Sequence, residues 1–507
     1  MENKTKSIFN KQNIFIGAAF AFFLFMMCHN ITYSALWGDE WIEYFYSQAD
    51  IMNGDLYNKI VSTFQPPLYN FIMHFWLEIN QTVLWFRSFN IVFGSISGIF
   101  MFMTLKKLFN EKIACMALCV LAVCYQWIYC IQECSEYALM LCCLFGTLYF
   151  YVASFDKFSY RRMALFILCA VLAIYSQYGS VFIVLPLLFL FYVGNIFNRG
   201  VRKKEKIVIM FSYVVCLVVF ANPLYFFFLK EQLANNEISG HTVMLTADLL
   251  KDLPFTFGNI LGYFYNLNSG DTWNILLSML GLVLIILSIF IVVEGKLSWN
   301  KKSLIISFWI GYIAHYFLVQ LHIYAMVHPN QSGGFLVRYS YFYIPILSVV
   351  LPIIAVEFNS FISAERSSRL LKYFVGVPFV VCICLSFFST LKNWNKALDN
   401  QFASIWMENE GWKDTTYLYG QVATYGFNYY VSHSDGYEEG YLDNVTKKVD
   451  NSNLPPRFWA WRTNWNGDGW KTTIDAATDL GYTVIVYKDA GYSGQLAYCS
   501  YDQENNN

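Results

Sequence analysis

Charge is scarce in this chain. Only 14% of its 507 residues are Asp, Glu, Lys or Arg, against roughly 25% in soluble domains. Such a deficit argues against a wholly solvated protein. Net charge is also close to zero, at −1. No overall field would draw a polyanion, so no nucleic-acid partner is expected. A disulfide framework is missing too. There are 13 cysteines, but Cys115, Cys119, Cys124, Cys142, Cys143, Cys382 and Cys384 lie inside apolar runs and read as small hydrophobes within helices. No internal repeat is visible, and no metal-ligand spacing.

What the chain has is hydrophobic residues, 57% of the total, with 20% aromatic. They come in runs long enough to cross roughly 30 Å of hydrocarbon. The runs lie near 13–36, 83–105, 113–130, 137–154, 163–177, 180–197, 207–228, 274–293, 303–323, 339–356 and 373–391. Lipid offers the backbone no hydrogen-bond partner, so each run predicts a helix. The fold class expected is an α-helical polytopic membrane protein of about eleven transmembrane helices. The first run has a basic start but no small-x-small cleavage site, so it is expected to stay as a span.

The loops orient the bundle. With a cytoplasmic N-terminus, one side collects twenty lysines and arginines, among them Lys106, Lys107, Lys112, Arg202, Lys203, Lys204 and Lys206. The opposite inter-helix loops hold Lys59, Lys230, Lys251 and Arg338, with Arg87 just inside a span. The positive-inside rule therefore predicts a plasma-membrane protein with residues 393–507 extracytoplasmic. Two domains follow: a transmembrane domain over 1–392, with a long first outer loop at 37–82, and a small soluble α/β domain over 393–507. In the latter, Thr416–Tyr419 and Thr483–Tyr487 predict strands, and Lys471–Leu480 a helix closed by Gly481. Trp459, Trp461, Trp465 and Trp470, with Arg457 and Arg462, read as a domain core facing the membrane part; the alternative is a platform for stacking sugars.

The outer loops carry the polar chemistry. The first opens Leu36-Trp37-Gly38-Asp39-Glu40-Trp41-Ile42-Glu43-Tyr44. A helix after Gly38 puts Asp39 and Glu43 on one face at i,i+4. Trp41, Tyr44, Phe45 and Tyr46 are then expected at the lipid interface. An acidic pair there is either a solvated cap or a site. Thr63-Phe64-Gln65-Pro66-Pro67-Leu68-Tyr69 follows, with two prolines starting a helix. His74 beyond it reads as a packed interfacial histidine. The loop near 229–273, with Asn235-Asn236-Glu237 and His241, reads as a flap or a linker.

Three segments together carry a resemblance: the Asp39-Glu40 pair after the first span with the Pro-Pro-Leu-Tyr helix start beyond it, Gln132-Glu133-Cys134-Ser135-Glu136-Tyr137-Ala138-Leu139 in the second outer loop, and Arg338-Tyr339 before the tenth span. This set resembles the GT-C superfamily of membrane glycosyltransferases, in its protein-mannosyltransferase-like branch, which includes the aminoarabinose transferases. Two positions depart from that pattern: Gln65 stands where family members commonly have histidine, and Ser135 where they often have arginine.

The resemblance implies an inverting transferase that moves a sugar from a polyprenyl-phosphate-linked donor to a cell-envelope acceptor: a glycan, lipid or protein. Phosphate is a good leaving group and needs its charge held, a task suited to Arg338. The acceptor hydroxyl must lose a proton, and Asp39 is the expected base, with Glu40 orienting the acceptor or sharing that role. Glu133, Tyr339, Gln65 and Tyr69 are expected to bind substrate. The resemblance leaves a metal open, since some GT-C enzymes use one and others do not; were one used, Mg²⁺ or Mn²⁺ suits carboxylate oxygens, and Asp39 and Glu133 are the candidates to hold it. The competing class is a transporter or lipid flippase. Transporters usually show repeats and ionisable residues near the midplane; here the acids sit in outer loops.

Overall fold

The computed structural model describes residues 11–29, 31, 36, 38–63, 65–156, 159–197, 201–235, 249–267, 271–294, 297–321, 336–363, 380–381, 383–388, 390–391, 401–443, 445–446, 450–462, 467–487 and 495–501. Helices dominate up to residue 363. They are α1 (Lys11–Cys28), α2 (Gly38–Ser47), α3 (Asp55–Val61), α4 (Leu68–Ile79), α5 (Val83–Leu108), α6 (Glu111–Ala122), α7 (Tyr125–Gln132), α8 (Tyr137–Asp156), α9 (Tyr160–Ser176), α10 (Val181–Phe197), α11 (Lys203–Val215), α12 (Asn222–Leu224), α13 (Lys230–Asn235), α14 (Leu249–Phe264), α15 (Asp271–Glu294), α16 (Trp299–Gln320) and α17 (Tyr343–Ser363).

Among the described residues, six helices are long and apolar enough to cross a membrane: Val83–Leu108, Tyr137–Phe155, Tyr178–Phe197, Ile275–Glu294, Trp299–Val319 and Tyr343–Phe361. The other expected spans differ in instructive ways. The run at 113–130 is two helices, α6 and α7, bent by 69° at a short break. An apolar run has no mark for such a bend. The apolar stretch in α1, Gln12–Cys28, is shorter than a full span, and α9 has 17 residues. The run at 207–228 winds into wider π turns at Cys216–Ala221 and Tyr225–Leu229, around Pro223. Much of the last run, and the expected domain boundary at 392/393, lie outside the described residues. The loop expected near 229–273 contains a helix, α14, packed against α15; His241 is outside the described residues.

Local chemistry explains the helix starts nearest the site. Asp39 and Glu40 occupy the first turn of α2, where negative charge meets the positive end of the helix dipole. Pro67 caps α4 at φ −76°, as the Pro-Pro pair predicts. Thr82 caps α5 by accepting the Trp85 N–H.

The C-terminal part is a five-stranded mixed sheet in the order β2-β1-β3-β5-β4. Its elements are α18 (Gln401–Glu408), β1 (Thr415–Tyr419), α19 (Gln421–Ser432), β2 (Val445–Thr446), β3 (Arg457–Arg462), α20 (Gly467–Asp479), β4 (Thr483–Tyr487) and β5 (Gln495–Ser500). β1 runs parallel to β2 and β3, and β5 runs antiparallel to β3 and β4. Both expected strands and the expected helix are present. Gly481 follows that helix at φ +86°, the left-handed conformation that ends it.

β3 is central and buried on both faces. Trp459 packs on Tyr487 and Tyr498, and Trp461 on Phe402 and Phe427. The Trp470 indole donates to the Ala460 carbonyl at 3.3 Å. Arg457 pairs with Asp414, and Arg462 donates to Gln495. These aromatics form a core and present no open platform; Trp465 lies outside the described residues.

Candidate active site

α2 is the organising element. Its expected lipid-facing aromatics do not all face lipid. Trp41 and Tyr44 are 1% and 2% exposed. They pack against Tyr429 and Tyr430 of α19, with ring centroids 5.1–5.6 Å apart. The docked domain supplies an aromatic wall that the local sequence could not announce.

Asp39 is part-exposed. Its Oδ2 accepts a hydrogen bond from Arg338 Nη1 at 2.5 Å. Arg338 lies in a 3₁₀ turn, Leu336–Ser340, just before α17. Its guanidinium sits over the Tyr339 ring, 5.4 Å from the centroid. Burial pushes the Asp39 carboxyl above the ordinary aspartate range, although the Arg338 charge pulls it back down.

The structure gives Glu40 a different surrounding from the one expected. It is 2% exposed, with one oxygen 3.4 Å from Arg87 Nη2 and the other accepting the Cys134 N–H at 2.8 Å. Arg87, equally buried on α5, also donates to the Ile31 carbonyl at 2.7 Å. Glu40 thus braces α2 against α5 and the turn between α7 and α8.

Glu133 lies in that same turn, as does Glu136. Both are buried. Asn90 of α5 donates its side-chain amide to the Glu133 carbonyl and so holds the turn. Burial, with Glu40 and Asp39 nearby, raises the Glu133 carboxyl well above the usual range. Burial also raises Glu136, to about 7. Glu43, one turn after Asp39 on α2, is raised by burial and by the Glu136 charge. Asn70 of α4 donates to Glu43 at 2.7 Å, and the Gln65 side chain also bonds it. Gln65 therefore takes part through a neutral amide where a histidine was the family habit.

Tyr69 is 1% exposed, and the carboxyls of Glu43, Glu136 and Glu40 all act on its hydroxyl. Four buried polar atoms at this locus have no hydrogen-bond partner among the described residues: Tyr69 Oη, Glu133 Oε2, Ser135 Oγ and Glu136 Oε2. Buried polar groups are nearly always satisfied, so these atoms are places for a water or a ligand's polar group.

All seven expected site residues thus converge on one region. Asp39, Gln65, Arg338 and Tyr339 are part-exposed there, and Glu40, Tyr69 and Glu133 are buried. Three further residues belong with them. Glu43 carried a signal in its i,i+4 spacing from Asp39. Glu136 stands three residues after Glu133. Arg87 was an unusual cation at the edge of a span. His74 is packed, with Nδ1 2.8 Å from the Ser47 carbonyl. Among the described residues, no group of three or more His, Cys, Asp or Glu is arranged to hold a metal ion. Of the two candidate metal-holding residues, Asp39 pairs with Arg338 and Glu133 lies in the buried turn.

The described residues form a mostly helical membrane bundle with a small C-terminal sheet domain. Residues 64–226 match the family model described as dolichyl-phosphate-mannose-protein mannosyltransferase. That match bears out the resemblance to the GT-C membrane glycosyltransferases. Gln65, Tyr69 and Glu133 fall inside it; Asp39, Glu40, Arg338 and Tyr339 lie outside. No curated protein matches the chain in sequence. Among solved structures, ArnT from Cupriavidus metallidurans bound to undecaprenyl phosphate is 12% identical, covering 96% of this chain and 97% of its own, with a TM-score of 0.43. The Archaeoglobus fulgidus oligosaccharyltransferase AglB, in complex with an inhibitory peptide and a dolichol-phosphate, is 11% identical, covering 98% and 75%, with a TM-score of 0.46. Both likenesses are remote, and nothing about the site follows from them.

Proposed function

We propose that the chain is an inverting glycosyltransferase that takes a sugar from a polyprenyl-phosphate-linked donor to a cell-envelope acceptor on the outer face of the membrane. The observation that carries the reading is the Asp39–Arg338 pair, set over a buried layer of glutamates with unmatched polar atoms. The family-model match supports the same reading.

In this mechanism the donor phosphate takes Arg338 from Asp39. The freed carboxylate accepts the proton of the acceptor hydroxyl. The hydroxyl oxygen forms its bond to the anomeric carbon as the bond from that carbon to the phosphate oxygen breaks. The electron pair leaves on the phosphate, where Arg338 holds the charge. Attack from the opposite face inverts the centre. Tyr69, Ser135, Glu133 and Glu136 supply hydroxyl and carboxyl groups for the sugar's own hydroxyls. A base raised above the ordinary aspartate range suits proton abstraction better than a normal one.

The test is transfer by purified protein from a panel of polyprenyl-phosphate sugars, comparing wild type with Asp39→Asn. Transfer that is present in the wild type and lost in the variant supports the reading. Full transfer by Asp39→Asn removes Asp39 as base. Absence of transfer with a solute-transport defect in cells lacking the protein favours the transporter class.

A further inference from the structure

The C-terminal sheet domain touches the bundle at the helix that carries Asp39. Gly426, in the interior of α19, faces the Trp41 indole. A Cβ on Gly426 would lie 2.8 Å from Trp41 Nε1 and 3.2 Å from Trp461. Glycine inside a helix costs roughly 0.5–1 kcal/mol relative to alanine. Its presence here is explained by the closeness of the two helices. Trp41 cannot swing aside, because Tyr44, Phe45, Tyr429 and Tyr430 box it in at centroid distances of 5.1–5.9 Å.

Polar contacts fix the same joint. The Leu36 N–H, two residues before α2, donates to Tyr430 Oη at 3.1 Å. The Gln81 carbonyl, just before α5, accepts from Tyr44 Oη at 2.9 Å and from Tyr429 Oη at 3.4 Å. Phe45 lies 4.3 Å from Tyr425, ring centroid to ring centroid. α2 is therefore held on two sides. The Glu40–Arg87 brace fixes it to the bundle, and α19 presses on it from the domain.

We infer that α19 is a positioning element for the active site: through Gly426, Tyr429 and Tyr430 it sets the seat of Trp41, and with it the placement of Asp39 two residues away. This rests on the glycosyltransferase reading. The C-terminal domain thereby acts in catalysis without touching substrate. Near-attack geometry is sensitive at the ångström level, and a misplacement of about 1 Å can cost about a hundredfold in rate.

The experiment compares wild type, Gly426→Val, Tyr430→Phe, the double variant Gly426→Val/Trp41→Phe and Asp39→Asn in full-length protein. Melting temperature, donor KM, kcat and the pH profile of kcat are measured for each. Gly426→Val is expected to lower kcat at least tenfold with donor KM within twofold, and to shift the acid limb of the profile, since Asp39 moves relative to Arg338. Trp41→Phe makes room for the new side chain and should restore at least half of the lost factor. Tyr430→Phe loses the buried bond from the Leu36 N–H, so it should lower the melting temperature by a few degrees while the protein stays folded, and lower kcat threefold or more at a temperature well below melting; it decides the matter if Gly426→Val does not fold. An active wild type with kcat and acid limb unchanged in folded Gly426→Val or in Tyr430→Phe overturns the inference and leaves the glycosyltransferase reading standing. No transfer by wild type under any donor overturns the reading itself.

Discussion

Arg338 and Asp39 are 299 positions apart in the chain, and a guanidinium nitrogen of one lies 2.5 Å from a carboxylate oxygen of the other. The pair is part-exposed, at 21% and 28% for the two side chains. That partial exposure separates it from the other arginine–carboxylate pair nearby. Glu40 and Arg87 are each 2% exposed and serve the frame; Asp39 and Arg338 remain open to exchange partners.

Asp39→Asn keeps the shape and removes the proposed base. Loss of a positioned general base typically costs 10²–10⁴-fold, so kcat is expected to fall by about that much with donor affinity retained. Arg338→Lys keeps the charge but loses the forked donor geometry. It should weaken both donor KM and kcat. Steady-state transfer with a polyprenyl-phosphate sugar reads both; equal kcat for Asp39→Asn and wild type would remove the residue from the reaction.

The pH profile follows from the same pair. Asp39 must be ionised to act, and its carboxyl is raised above the ordinary range by burial. Activity should therefore fall on the acid side, with its limb above about 3.9, the ordinary aspartate value. Arg338 pulls that carboxyl down. Arg338→Gln should move the limb to higher pH, and a limb that stays put or moves lower would contradict the assignment.

Glu136 predicts a stability effect. Its carboxyl is raised to about 7 in the folded protein, within a pair with Glu43. The folded state then binds more protons than the unfolded one between the ordinary glutamate range and about 7. Stability contributed by the protonated pair is complete below that window and is lost as pH rises through it. Melting temperature should fall from pH 5 to pH 8. Glu136→Gln should flatten the fall, an effect on the order of 1–3 kcal/mol. A wild-type melting temperature that rises over this range would reverse the sign and refute the argument.

Arg87→Met removes the cation beside the buried Glu40. Removing one partner of a buried pair costs about 3–5 kcal/mol. Thermal unfolding in detergent should show a clear drop, larger than for a surface arginine such as Arg202. A drop no larger than that control would mean that Glu40 is already held well enough by the Cys134 N–H.

Much of the molecule is written locally. Apolar length identifies the spans because lipid leaves the backbone no other partner, so Val83–Leu108 or Tyr343–Phe361 can be read directly. Pro66-Pro67 announces α4, and β-branched runs announce β1 and β4, since these rest on the backbone preferences of neighbouring residues. The residue types needed at the site were legible too: Asp39, Glu133 and Arg338 stood in loops assigned to one side.

Other features depend on distant partners. Trp41 and Tyr44 looked like interfacial aromatics until α19 was laid over them, about 390 positions downstream. The 69° bend between α6 and α7 leaves no mark in an apolar run, yet it leads into the turn holding Glu133 and Glu136. Adjacent Asp39 and Glu40 read as a matched acidic pair. A helix turns its neighbours about 100° apart, and tertiary packing then left one carboxylate part-exposed beside Arg338 and put the other in a buried brace. The sequence by itself determined a membrane bundle with acidic residues in its loops; the tertiary structure decided which acid stays accessible and which is buried, because burial and partner choice are properties of the whole fold.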